Sequence, residues 1–137
     1  MKILILHGPN TNLLGLWSLQ NKDNTTLDKV NKEIRKFVKG KNIQIKILQT
    51  HSEIKAVSFI QQNKNKIDGI IITPGPWQNS GFILKDLLEL IQIPYITISY
   101  KENEKINLLN GFENINNKNI KLAFNKALKS LEKKIDE

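Results

Sequence analysis

The stretch KILILHGPN, residues 2–10, sets the architecture of this chain. Its apolar run, 3–6, is typical of a strand that is buried on both faces of a parallel sheet. Gly8 tolerates backbone angles that other residues avoid, and Pro9 has no amide N–H, so the strand ends here. Ligands of open α/β sheets bind at the carboxyl ends of strands where the strand order reverses. Asn10 is therefore a candidate site residue, although Gly-Pro-Asn is also a common turn.

Length and composition indicate one globular domain over residues 1–137. The chain is 39% apolar and 25% charged, and no run approaches the roughly 20 apolar residues that cross a bilayer. We expect no secretory leader, because the sequence starts directly with a strand. The lack of cysteine excludes disulfides and thiolate metal sites and fits a cytoplasmic location. No metal cluster, phosphate loop or nucleophile triad is recognisable, so we predict no cofactor and no metal.

The net charge of +8 is compatible with an anionic partner, nucleic acid included. Its lysines are scattered along the predicted helices rather than forming a basic stripe with interleaved aromatic residues. Nucleic-acid grooves combine such a stripe with stacking rings. We therefore predict neither a nucleic-acid nor a membrane partner.

Apolar runs and helical periodicities alternate along the rest of the chain. This alternation requires right-handed crossovers and gives a three-layer α/β sandwich with a parallel sheet. We predict a flavodoxin-like fold with strand order 2-1-3-4. Its strands lie near 2–7, 43–47, 69–73 and 94–99, and its helices near 25–40, 52–60, 80–91 and 118–135.

Three polar loops, 8–24, 73–80 and 99–111, then meet at the carboxyl edge of the sheet. They carry the candidate ligand-binding residues Trp17, Thr73, Trp77, Asn79, Ser80, Tyr100 and Lys101. An exposed tryptophan is costly unless it packs or binds. Trp17 and Trp77 therefore either hold a planar anion, with lysines supplying charge, or pack against each other and plug the crevice.

Several segments resemble type II 3-dehydroquinate dehydratases, the flavodoxin-like lyases of the shikimate pathway. The segments GPNTNLLG, LQTHSE, DGIIITPGPWQNS and IQIPYITIS are similar to the family's GPNLNLLG, FQSNHE, DGIIINPAAYTHTS and VSIPFIEVH. The resemblance extends to about residue 110. It implies removal of water by proton abstraction next to a ketone, through an enolate, and a trimer-based assembly.

The resemblance carries over to single residues unevenly. Asn10 matches the family asparagine that holds a water near the enolate oxygen, and Glu53 and Asp86 also match. The counterpart of Asp86 reaches a neighbouring subunit's site. Other family positions are changed. Trp17 occupies the position of the lid arginine and Lys22 that of the catalytic tyrosine. Thr73 replaces an asparagine, and Asn79 and Ser99 replace histidines.

These changes leave Asn10, Lys22 and Ser99 as the candidate catalytic residues. A lysine on a polar lid is protonated at neutral pH, and a serine does not deliver a proton as histidine does. Each lost acid or base costs about 10²–10⁴ in rate. We therefore predict a divergent member without the standard dehydration that binds a small anion or acts as a scaffold. The alternatives are a dehydratase that uses unusual groups and a structural protein with a plugged crevice.

The segment after Gly111 is short, so we predict a fifth strand that is shortened or missing. In its absence the fourth strand lies at the sheet edge, which makes the family's assembly doubtful; we nevertheless expect self-association. Of the two histidines, His7 either faces the crevice or is a hydrogen-bonded turn residue. His51 is expected away from the point where the strand order reverses.

Overall fold

A computed structural model describes all residues, 1–137, and contains one five-stranded parallel sheet. The strands are β1 (Lys2–His7), β2 (Gln44–Gln49), β3 (Gly69–Thr73), β4 (Tyr95–Ser99) and β5 (Glu113–Asn116). Their spatial order is β2-β1-β3-β4-β5. The predicted flavodoxin-like arrangement 2-1-3-4 is therefore confirmed.

Six α-helices cover the sheet. They are α1 (Leu14–Gln20), α2 (Leu27–Val38), α3 (Glu53–Asn63), α4 (Trp77–Ser80), α5 (Phe82–Ile91) and α6 (Ile120–Ile135). Side-chain oxygens of Thr26, Ser52 and Asn119 accept backbone N–H groups at the starts of α2, α3 and α6. Each such cap stabilises a helix by about 1 kcal/mol. No helix here has the length and apolar character needed to cross a membrane.

Alternate residues of β1 supply the two halves of the core. Ile3 and Ile5 belong to the cluster that α2 and α6 cover, and Leu4 and Leu6 belong to the cluster under α3 and α5. Because both faces are covered, β1 and β3 are buried apolar runs without the polar alternation of a half-exposed strand.

The prediction of a polar loop over residues 8–24 is wrong for much of that segment. Residues 11–13 form a 3-10 turn, which leads directly into α1. Leu14 is 1% exposed in the α2–α6 side of the core, and Trp17 packs against the same cluster. Burial of these two side chains gives the segment an apolar face, and this makes a helix favourable.

The fifth strand is present, although it has only four residues. It pairs with β4 in parallel register from Ile96–Glu113 to Ser99–Asn116, so β4 lies inside the sheet. Ile115 is buried, and the Thr97 hydroxyl lies 2.6 Å from the Asn114 side-chain oxygen. A buried isoleucine, a cross-strand side-chain hydrogen bond and the backbone pairing with β4 hold this strand, which no apolar run in the sequence indicates.

At Gly8, the turn after β1 closely approaches the turn after β3. Its N–H donates to the Thr73 carbonyl over 3.0 Å. A Cβ at this position would collide with that carbonyl oxygen and lie 3.1 Å from the Trp77 ring. Glycine is therefore required where the turn after β1 meets the turn after β3.

We expect Gly8→Ala to lower the free energy of unfolding by about 1–3 kcal/mol, because the Cβ forces two backbones apart. Gly15→Ala, within α1, is the matched control. A Cβ at position 15 would meet only the Thr26 methyl group, at 3.4 Å. The control should be neutral or stabilising in urea unfolding. Equal destabilisation of both variants would contradict this account of Gly8.

Candidate functional site

A cavity of about 660 Å³ opens at the carboxyl edge of the sheet, between the turn after β3 and the segment that follows β4. Its size suits a small metabolite. Four amide side chains, two lysines, one carboxyl and three other residues line it: Gly75, Pro76, Gln78, Asn79, Lys101, Asn103, Glu104, Lys105, Ile106 and Asn107. The lining is polar, so it favours a ligand rich in hydroxyl or carboxylate oxygens.

Gln78 holds the two walls of this cavity together. Its side-chain oxygen accepts the N–H groups of Asn107 (3.0 Å) and Leu109 (2.9 Å), and its side-chain N–H donates to the Leu109 carbonyl (2.8 Å). Its backbone carbonyl accepts the N–H of Leu108. Gln78 thus satisfies a stretch of loop backbone that no regular element pairs.

The cavity wall formed by residues 101–107 carries side chains of both charges. Lys101 and Lys105 line the cavity together with the half-buried Glu104. Burial raises the pKa of the Glu104 carboxyl, and the charge of Lys101 partly opposes this rise. The two lysines give the site the positive charge that an anionic ligand requires.

Asn10 lies on the loop after β1 in a left-handed conformation, with φ 66° and an exposed side chain. Its N–H donates to Nδ1 of His51 over 3.1 Å. His51 therefore contacts the central loop, and its expected place away from the strand reversal is wrong. The parallel pairing of β1 with β2 brings the two strand ends side by side.

Lys22 and Ser99, like Asn10, lie outside the cavity lining. Lys22 is exposed in a left-handed turn that closes α1, where its N–H donates to the Leu19 carbonyl. Ser99 is half-buried at the end of β4. None of these three predicted catalytic residues lines the cavity.

The other predicted residues divide between the cavity and the protein interior. Asn79 and Lys101 line the cavity, and the Asn79 oxygen accepts from the Asn107 side chain at 3.4 Å. Ser80 is exposed and donates to the Pro76 carbonyl. Thr73 is 1% exposed, and its hydroxyl has no hydrogen-bond partner in the protein.

The two tryptophans do not pack against each other. Trp77 is 3% exposed within the α3–α5 side of the core, so it offers no ring to a ligand. Trp17 meets the Tyr100 ring edge-to-face at 4.9 Å on the other side of the sheet. It also lines a smaller cavity of about 220 Å³ with Lys101 and Lys118. A stacking role for both rings together is therefore excluded.

Tyr100 is buried beneath Trp17. Desolvation raises the pKa of its hydroxyl to about 12, with a smaller contribution from the charge of Glu104. A tyrosine that abstracts protons near neutral pH needs a lowered pKa. Tyr100 therefore serves as a packing residue between the small cavity and the core.

His7 is fully buried beside Thr73 and is a hydrogen-bonded residue rather than a ligand group. Its Nε2 lies 2.8 Å from the side-chain oxygen of Asn31, and its ring meets Phe124 at 5.4 Å. Burial lowers the pKa of His7 to about 4, against the opposing effect of the Asn31 hydrogen bond. His7 is therefore neutral at pH 7.

Glu53 and Asp86, the two other residues that match family motif positions, lie outside the cavity. Glu53 accepts the N–H of Leu84 over 3.1 Å and so satisfies the first turn of α5. Asp86 is exposed on α5, a helix that also exposes Phe82, Ile83 and Leu90. Glu53 thus has a structural role within this chain.

Sequence reasoning missed Gln78, Glu104, Lys105 and Asn107. Gln78 lies beside Trp77 in the turn after β3, but nothing in its residue type distinguishes it from an exposed polar residue. The polar run 101–107 lies on a loop that was expected to converge on the site. Its charge pattern, with Glu102 and Glu104 between Lys101 and Lys105, was the available signal.

Residues 1–116 match the family described as dehydroquinase class II. The 3-dehydroquinate dehydratase of Halothermothrix orenii is 32% identical over 97 residues, which cover 71% of this chain and 66% of that protein. The protein of the same name from Endomicrobium trichonymphae is 35% identical, with 71% and 68% covered. The aligned part of the chain thus spans about two thirds of these relatives.

Among solved structures, a type II dehydroquinase from Butyrivibrio crossotus superposes with a TM-score of 0.84 at 25% identity, covering 96% of this chain and 97% of that one. A 3-dehydroquinate dehydratase-like protein from Bifidobacterium longum has a TM-score of 0.67 at 18% identity, covering 96% and 98%. The second likeness concerns the fold alone.

Gln78→Met should lower the free energy of unfolding by about 3 kcal/mol, because it leaves buried loop N–H and C=O groups without partners. Gln78→Glu keeps both acceptor bonds and should cost less. Hydrogen exchange should show lost protection at the amides of Asn107 and Leu109. Gln62→Met, an exposed change on α3, is the control, and a comparable loss there would contradict the prediction.

Stability should fall as pH decreases from about 6.5 to about 4, because the folded state keeps His7 neutral while the unfolded chain protonates it. The loss from this group is about 3 kcal/mol at 1.36 kcal/mol per pH unit. His7→Gln should remove that part of the pH dependence in urea unfolding. His51→Gln keeps His7 and should retain it; equal slopes for His7→Gln and the wild type would contradict the assignment.

Proposed function

The chain belongs to the class II dehydroquinase family, and we propose that it binds a small cyclic carboxylate without catalysing the standard dehydration. The observation that carries this proposal is the lining of the 660 Å³ cavity. Its amides and lysines suit the hydroxyl and carboxylate oxygens of such a ligand. Its size and polarity support binding, and proton abstraction requires a different set of groups.

Proton transfer requires a base in contact with the substrate. Lys22, at the position of the family's tyrosine, is exposed at the end of α1 and does not line the cavity. Tyr100 packs against the Trp17 ring of α1, and burial raises its pKa to about 12, in the direction opposite to activation. These two placements support the loss of the standard reaction.

A second candidate function is active dehydration of 3-dehydroquinate by unusual groups. The observation that favours it is the shared name of the curated relatives, which are 32% and 35% identical to this chain. It requires a proton acceptor other than the family's tyrosine. The two candidates give opposite results in one assay.

The full chain should form no conjugated ketone from 3-dehydroquinate above the uncatalysed rate, since Lys22, at the position of the family's tyrosine, does not line the cavity. The dehydratase of Halothermothrix orenii, assayed in parallel, is the positive control. A turnover less than about 10⁴-fold below that control, the largest loss expected for a single acid or base, would establish the second candidate instead.

Calorimetric titration should detect binding of 3-dehydroquinate. Lys101→Met and Lys105→Met should each weaken binding by about tenfold, because each removes one charge-assisted contact worth about 1.5 kcal/mol. Lys66→Met is the matched control, since Lys66 lies before β3, at the opposite edge of the sheet. Unchanged affinity in both cavity variants would contradict the assignment of the cavity as the ligand site.

A further inference from the structure

Glu104 is the one carboxyl among the residues that line the cavity. Its backbone N–H donates to the Lys101 carbonyl over 3.2 Å, which turns the chain so that the glutamate and Lys101 lie close together. The residue is half-buried, in contrast to the exposed Glu102 two positions earlier. An anionic ligand in this cavity therefore meets a negative charge as well as two positive ones.

Two like charges in one partly desolvated cavity disfavour each other's ionised forms. A carboxylate ligand beside Glu104 thus favours protonation of that glutamate. Burial already raises the pKa of Glu104 before any ligand is bound. The work needed to neutralise it on binding is correspondingly small.

The neighbouring groups do not take up the proton instead. The other charged side chains that line the cavity are Lys101 and Lys105, and the Tyr100 hydroxyl keeps its proton at neutral pH because burial raises its pKa to about 12. The α4 wall contributes Gln78 and Asn79, which do not titrate. Glu102 is paired with Lys118 at 2.7 Å beside the smaller cavity.

We propose that an anionic ligand enters this cavity together with one proton from solvent, which Glu104 accepts as the ligand binds. This coupling rests on the proposed function, because it requires a carboxylate in the cavity. The ligand then meets a neutral carboxylic acid, and this acid is able to donate a hydrogen bond to a ligand oxygen. The site consequently binds more tightly as the solution becomes more acidic.

The test is calorimetric titration of the full chain with 3-dehydroquinate in two buffers of different ionisation enthalpy, between pH 5 and 8. The wild type should take up a measurable fraction of a proton, and at most one, per ligand, and its affinity should fall by up to tenfold per unit rise in pH. Glu104→Gln should bind without proton uptake and with an affinity that no longer changes with pH. Glu102→Gln, on the same loop, is the matched control and should behave like the wild type.

The carboxyl carbon resonance of Glu104, followed with and without ligand in the wild type, gives a second measurement that needs no variant. Its titration should move to higher pH when the ligand is bound. Binding without proton uptake and without this movement overturns the coupling and leaves the proposed function intact. Absence of binding to the wild type and to both variants overturns the proposed function and the coupling with it.

Discussion

The hydrogen bond from the Gly8 amide to the Thr73 carbonyl is the contact on which the rest of the carboxyl edge depends. It joins the turn after β1 to the turn after β3, at the two strands that occupy the middle of the sheet. Trp77 fills the space beneath that contact, and Gln78, the next residue, then faces the segment after β4. Displacing the two turns would therefore change the cavity wall as well as the core.

Periodicity predicted the sheet because the apolar runs of β1 and β3 are buried on both faces, a condition that leaves an unambiguous pattern. The same criterion failed at α1 and β5. In α1, Leu14 and Trp17 make the core contacts, while Leu16 and Leu19 are exposed, so the apolar residues do not mark the buried face. In β5, Ile115 is the buried residue and its neighbours are polar.

The position of the cavity was predictable from the chain order, but its lining residues were not. Chain order alone puts three loops at one edge, and Asn79 and Lys101 do line the cavity. What sequence does not reveal is the direction of each side chain within a loop. Gln78 points toward backbone groups some 30 residues later in the chain, and Trp77, beside it, points into the core. Because side chains in loops follow no fixed period, such partners emerge only from the folded structure.

The shortness of β5 has a consequence for how this sheet meets other molecules. An outermost strand exposes unpaired N–H and C=O groups, and a long flat one serves as a template for addition of a foreign strand. Four residues, three of them Glu113, Asn114 and Asn116, offer little length and no continuous apolar surface for that purpose. The short length and polar side chains of β5 therefore disfavour aggregation by strand addition at this edge of the sheet.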